Sequence, residues 1–375
     1  MNSWVTQKLG DLIVLHYGKS LKAENRIEGL IPVFSSAGVT GYHNEALVEG
    51  PGIIVGRKGS VGTVYLSQDS FYCIDTAYYI KPNNEKYDFL YLFYLLKTLG
   101  LTELNEDSAV PGLNRQTAYD QIVNIPPLPE QQAIASVLSA LDDKIDLLQR
   151  QNQTLEQMAA TLFRQWFIEE AKEDWKEVTI GDIFTLKGGS TPSTKESSFW
   201  DGNISWTSPR DLSNSKSIFM FDTERKITEA GLAKISSGLL PKRTLLMSSR
   251  APIGYLAITD IEVAINQGYI AIPEHQTYST EFMYLWCQLN MDTIENAGNG
   301  SVFQEISKSS FRDLIFVIPD ENTLNRFDAF VKPTFTKIKS NTQQIRTLQS
   351  MRDTLLPKLI SGEVRLKGFE TLSEA

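Results

Sequence analysis

The chain has 375 residues, 42% of them apolar and 22% charged, with a formal net charge of −9 at pH 7. That length predicts two or three domains large enough to bury cores, and the acidic balance argues against non-specific polyanion binding while leaving room for a local basic patch. No apolar run reaches the roughly 18 residues of a transmembrane helix. The start, "MNSWVTQKLGDL", lacks the apolar core of a signal peptide. Three histidines and two distant cysteines (Cys73, Cys287) suit a reducing cytoplasm and make a structural zinc site improbable.

Short β-type runs broken by Gly and Pro come first: "GIIVG" (52–56), "GTVYL" (62–66) and "TAYYI" (76–80). "GRKGSVG" (56–62) places Arg57, Lys58 and Ser60 on a Gly-rich turn. Such a turn brings backbone N–H groups and two cations toward phosphates or a base edge, and it reads equally as a tight hairpin with solvated charges. A helix is predicted over "YDFLYLFYLLKTL" (87–99), and "PGLNRQ" adds Asn114 and Arg115 as polar DNA-contact candidates. This first globular part spans 1–128.

Pro129 suits a first helical turn. From there Ile134, Leu138, Leu141, Ile145, Leu148, Asn152, Leu155, Ala159, Leu162 and Trp166 form a heptad seam, and 129–170 is predicted as one long helix. Met158 and Phe163 are candidate apolar contacts for a partner. The pattern then repeats. Trp4, Gly10, Asp11 and Gly18 recur 171 residues later as Trp175, Gly181, Asp182 and Gly189, while Phe89, Tyr91 and Leu92 recur 193 residues later as Phe282, Tyr284 and Leu285. The second globular part, 171–318, therefore carries extra residues, expected around "TPSTKESSFWDGNISWTSPRDLS" (191–213), which holds Lys195 and Arg210. "SSRAPIG" (248–254) retains one cation, Arg250, and "GSVFQE" (300–305) adds Gln304.

A second long helix is expected in 319–375, with its own seam from Phe327 to Leu359 and with Met351 as the counterpart of Met158. Pro333 should kink it or delay its start, and Pro357 should bend its last turn. "SGEVRL" (361–366) reads as a turn and a short extended segment. If the two seams pair antiparallel, layers a face d, and matching Asn152 with Asn341 sets partners whose numbers sum to 493, including Trp166 with Phe327. The alternative is that each helix packs on its own globular part. A helix over 130–168 would span roughly 58 Å, more than the roughly 34 Å turn of B-DNA. The fold class is α+β: two similar globular domains separated by two long helices in an antiparallel coiled coil, with pseudo-two-fold symmetry.

With "IPPLPEQQAIASVL" opening the first long helix and "LLPKLISGEVRL" closing the second, the chain resembles the specificity subunit of type I restriction-modification systems. "GGSTPSTKESSFWDGNISWTSPRDL" (188–212), "SSRAPIG" and "INQGYIAI" (265–272) add to the resemblance, which covers essentially the whole chain. It implies two target-recognition domains, each reading one half of a bipartite double-stranded DNA site. The helices would act as a ruler and dock two methyltransferase subunits, with restriction/translocase subunits joining the complex in a prokaryotic cytoplasm. S-adenosylmethionine, Mg and ATP would belong to those partners, with no cofactor bound by this chain and no membrane contact.

The residues themselves hold no catalytic constellation. "NIPPLP" (124–129) has prolines but neither the Asn/Asp-Pro-Pro-aromatic order of an adenine methyltransferase nor a flipped-base cradle. "YGKS" (17–20) lacks the upstream glycine of a phosphate loop, since position 13 is Ile. A non-enzymatic adaptor with a ligand other than DNA is the competing expectation.

Overall fold

The computed structural model describes residues 4–104, 112–213, 215, 217–250, 252–299, 304–366 and 368. They form two compact units: Met1–Ile145 together with Thr347–Ala375, and Asp146–Arg346.

In the first unit a four-stranded antiparallel sheet runs His16–Tyr17, Ala77–Ile80, Gly52–Gly56, Val64–Ser67. The apolar run Ile53-Ile54-Val55 makes one of the two interior strands, because side chains alternate faces and both faces are covered. Ile53 and Val55 pack with Tyr91, Leu92 and Leu95 of the helix Phe89–Thr98, while Ile54 packs with Phe34 and Phe71. That helix starts where it does because the Asp88 carboxylate accepts the Tyr91 N–H at 2.9 Å. A three-stranded sheet (Gly38–His43, Ile31–Ser35, Tyr72–Cys73) lies behind Ile54, and Val5–Lys8 pairs with Ile122–Ile125.

The second unit repeats the plan. Its main sheet runs Lys187–Gly188, Tyr269–Ile272, Leu245–Ser249, Ile253–Thr259, Phe219–Met220. Leu245 and Met247 face one apolar cluster and Leu246 the other, as Ile53 and Ile54 do. The three-stranded sheet is Arg225–Ile227, Trp200–Thr207, Ala264–Ile265, and Lys176–Thr179 pairs with Ile315–Ile318. Strand partners narrow and shift the placement of the extra residues, of which only 208–213 fall in the expected stretch. Phe34 pairs with Cys73 and Thr207 with Ile265 in parallel ladders, so the two copies are still 173 residues apart at that strand, close to the 171 of their starts. The extra length lies after Thr207. Where Ser35 turns directly to Gly38 in the first unit, residues 208–224 intervene in the second.

The central helix, Leu128–Arg164, continues into a π-helical turn at Gln165–Glu169, and the C-terminal helix is Glu321–Ser361. Each unit holds part of both. In the first, Ile134, Leu138, Leu359 and Ile360 share one core, and Arg352 Nη1 donates to Asp142 Oδ1 at 2.7 Å. In the second, Asn341 Nδ2 donates to Asn152 Oδ1 at 2.9 Å, Asn152 Nδ2 donates to Thr342 Oγ1 at 3.2 Å, and the Trp166 and Phe327 rings meet at 6.1 Å. Numbers rise along one helix as they fall along the other, so both segments pair antiparallel.

Three expectations are corrected here. Neither Pro333 nor Pro357 interrupts the C-terminal helix. Phe327, Val331, Phe335 and Ile338 anchor it around Pro333 in the core, and the Thr334 hydroxyl donates to the Phe330 carbonyl at 2.8 Å. Phe163 is not a docking side chain: it is 1% exposed and packs on Phe282 and Phe327. A straight helix drifts from a strict seven-residue repeat, so beyond Ala159 the buried stripe passes through Phe163 as Leu162 becomes half-buried. After the helix ends at Ser361, residues 362–364 turn, with Gly362 at φ +77° and the Val364 N–H donating to the Lys358 carbonyl at 3.1 Å, and 365–366 form no strand.

A polar clip closes each unit. In the first, Arg365 grips the buried Glu130 carboxylate at 2.7 and 2.9 Å, and the Trp4 indole N–H donates to it at 3.0 Å. In the second, Lys172 bonds Asp320 at 2.7 Å, and this hydrogen bond holds the half-buried carboxyl far below the ordinary range. Among the described residues no helix is long and apolar enough to cross a membrane.

Candidate nucleic-acid interface

In the first unit the Gly-rich turn leaves the strand Gly52–Gly56 at its last residue. The Arg57 and Lys58 N–H groups both donate to the Thr76 carbonyl, at 2.9 and 3.0 Å, and Gly59 and Gly62 adopt φ of +77° and +72°. A Cβ at Gly62 would stand 2.2 Å from the Leu101 carbonyl carbon, so only glycine lets the turn pack there. The turn is zipped to the segment before the short helix Arg115–Tyr119: Lys58 bridges to Gly112, and the Leu113 N–H donates to the Arg57 carbonyl at 2.8 Å.

That zipper brings together residues far apart in sequence. The Arg57 guanidinium lies 4.9 Å from the Tyr17 ring centroid and that of Arg115 lies 5.2 Å from the same ring. Tyr17 is 48% exposed and rests edge-on against Tyr78, whose phenol is pushed up by burial and then by Tyr17. Arg57 also donates to the Asp75 carbonyl at 3.2 Å. Among the described residues no carboxylate pairs with Arg57, Lys58 or Arg115, which leaves two guanidiniums gathered around one aromatic ring and a third cation, Lys58, exposed on the adjoining turn. Ser60 is exposed on the same turn. Asn114 is exposed too, but its side-chain oxygen is committed to capping the short helix, accepting the Gln116 N–H at 2.7 Å.

The second unit keeps the scaffold and changes the charges. Arg250 bridges to Glu305 as Lys58 does to Gly112, yet here the two side chains form an ion pair at 3.8 Å. Gln304 is exposed beside it. Arg210 stands 3.9 Å from Glu224, and Lys195 is exposed in the turn before Ser197–Phe199. Sequence reasoning missed two residues, Tyr17 and Arg225. Arg225 lies 3.4 Å over the ring centroid of Trp200, 25 positions earlier, a contact that only the strand pairing creates.

On the helices, Met158 in the second unit and its counterpart Met351 in the first are each 47% exposed. Among the described residues no three His, Cys, Asp or Glu side chains gather as a metal site.

The family model described as type I restriction modification DNA specificity domain matches residues 1–157 and again 172–348, one match per repeat. The chain is 28% identical over 304 residues to the type I restriction enzyme MjaIX specificity subunit of Methanocaldococcus jannaschii, covering 74% of this chain and 69% of that one. It is 23% identical over 391 residues to the HindI specificity subunit of Haemophilus influenzae, covering 82% and 85%. The solved S subunit of the type I restriction-modification system from M. genitalium shares the fold, with a TM-score of 0.66 at 20% identity over 95% of this chain and 96% of that one. These matches give no support to an adaptor whose ligand is not DNA. A domain matched twice, each copy built on the same strands and closed by the same pair of helices, places the chain in the family of type I restriction-modification specificity subunits, the non-catalytic DNA-recognition components of those systems.

Proposed function

We propose that the chain reads a bipartite double-stranded DNA site, one half-site per unit, and docks two methyltransferase subunits on its helices. The observation that carries the reading is the Tyr17 cluster: Arg57 and Arg115 flank one exposed ring, with no carboxylate partner among the described residues. Two guanidiniums held against one ring repel each other until an acceptor comes between them, and phosphate oxygens or the O6 and N7 of guanine supply what they lack. Arg57, held from beneath by Tyr17 and Tyr78, suits base reading. Arg115 and Lys58, more exposed, suit phosphate contact. Met158 and Met351 offer adaptable apolar contacts at equivalent places in the two copies. S-adenosylmethionine, Mg and ATP then serve the methyltransferase and restriction/translocase partners.

The test is to assemble the chain with its methyltransferase subunits and map the methylated DNA. Two separated half-sites are expected, and methylation without a bipartite pattern overturns the reading. Arg57→Ala is expected to weaken specific binding by about 1–3 kcal/mol if it reads a base, whereas Arg115→Ala should lower the salt slope by about 1. Arg250→Ala should do less than Arg57→Ala, because Glu305 already occupies its charge.

A further inference from the structure

The two units do not present the same reading surface. Where His16–Tyr17 pairs with Tyr78 and Tyr79, Lys187–Gly188 pairs with Ile270 and Ala271. The clamp ring of the first unit thus corresponds to Gly188, at which an added Cβ would meet nothing within 4 Å. Arg250 has no ring to lie on there and turns to Glu305.

A rigid guanidinium appears elsewhere instead. Arg225 starts the strand that returns after residues 208–224, the stretch that the first unit lacks. Its guanidinium lies 3.4 Å over Trp200 and 5.7 Å from Trp206. The two buried indoles meet edge-on at 5.2 Å, and their N–H groups donate to the Ser193 and Ser190 carbonyls at 3.0 and 3.3 Å. The platform is therefore fixed. The Arg225 backbone is fixed as well, by its ladder to Trp206 and by the Thr223 hydroxyl, which donates to its carbonyl at 2.8 Å. Neighbouring Arg210 and Lys226 pair with Glu224 and Asp222, whereas Arg225 has no ion pair among the described residues and is exposed. A stacked planar fork loses little freedom on contact and keeps its N–H edge available.

We propose that Arg225, laid on Trp200, determines specificity in the second unit by bidentate contact with guanine O6 and N7, so that the two units read their half-sites from different parts of one fold. This rests on the DNA reading proposed above. The full chain is assembled with its methyltransferase subunits, and methylation is sequenced from a library with both half-sites randomised. Arg225→Gln and Arg225→Lys are each expected to relax one or two base pairs of a single half-site about tenfold. Arg57→Ala should alter the other half-site. Lysine keeps the cation over the indole, so a phosphate contact or a purely packing role leaves base preference intact in Arg225→Lys. Unchanged preference in both variants overturns the inference. So does a change in the half-site that Arg57→Ala alters, or an even loss across both half-sites with a lowered Tm. Two half-sites in the wild type with unchanged Arg225 variants overturn this inference alone. A wild type without a bipartite site overturns the functional reading, and this inference with it.

Discussion

Glu156, on the central helix within the second unit, is partly buried, and burial pushes its carboxyl up to about 6. The unfolded chain releases that proton near the ordinary 4.5. Between those values the folded state holds the proton more tightly, so stability is greatest below the lower value, falls as pH rises through the upper one, and then levels off. Glu156→Gln is expected to remove this slope: a gain of about 1 kcal/mol near neutral pH, none near pH 4, with the side chain's partial wetting reducing the full effect. Thermal unfolding from acid to neutral pH checks it, and an equal change at all pH values speaks against the assignment. At this scale the sequence was unevenly legible. Asn152 and Asn341 announced themselves by breaking apolar seams, and they bond. Arg57, Lys58 and Arg115 could be named as cations on turns, but not that two of them share Tyr17, because strand pairing and the Lys58–Gly112 bridge assemble that group. Phe163 was misassigned because local periodicity does not say which domain a stripe meets.

Elements were legible where one force decides them. The run 52–56 is a strand over those same residues because both its faces are buried, and the helix expected over 87–99 starts at Phe89 because Asp88 caps it. The prolines of the C-terminal helix were not legible, since the cost of a proline is local and the packing that offsets it is not. The Pro333 ring is exposed, so replacing it forfeits no buried contact while restoring an N–H to the helix ladder. Pro333→Ala is accordingly expected to stabilise the second unit by about 1–3 kcal/mol in urea unfolding. A loss of stability would mean that the ring itself contributes to the packing. The extra residues of the second unit were placed only in part, for a similar reason. The whole stretch 191–213 looks irregular, yet it is only its end, running on to residue 224, that lengthens, and only strand register reveals that.

At the scale of the whole molecule, compactness does not follow chain order. The second unit is the continuous stretch Asp146–Arg346, whereas the first combines Met1–Ile145 with Thr347–Ala375. Removing residues 347–375 takes Leu359, Ile360 and Arg365 from the first unit and leaves the buried Glu130 carboxylate without its ion pair. An unpaired buried charge and a missing core wall are together worth several kcal/mol. Hydrogen exchange of such a truncation is expected to show protection lost in residues 4–104 and kept in the second unit. Retained protection in both would show that the tail is dispensable. The clip at Glu130 also sets a schedule for biosynthesis. At about 5–20 residues per second, the ribosome needs roughly 10–40 s to make the stretch between Ile145 and Thr347. Through that interval the first-made residues wait with an open core, and when it ends the second unit has its whole chain while the first still lacks 347–375. The nascent chain thus completes its middle before its beginning, and the early strands are the part of the molecule most in need of shelter from aggregation.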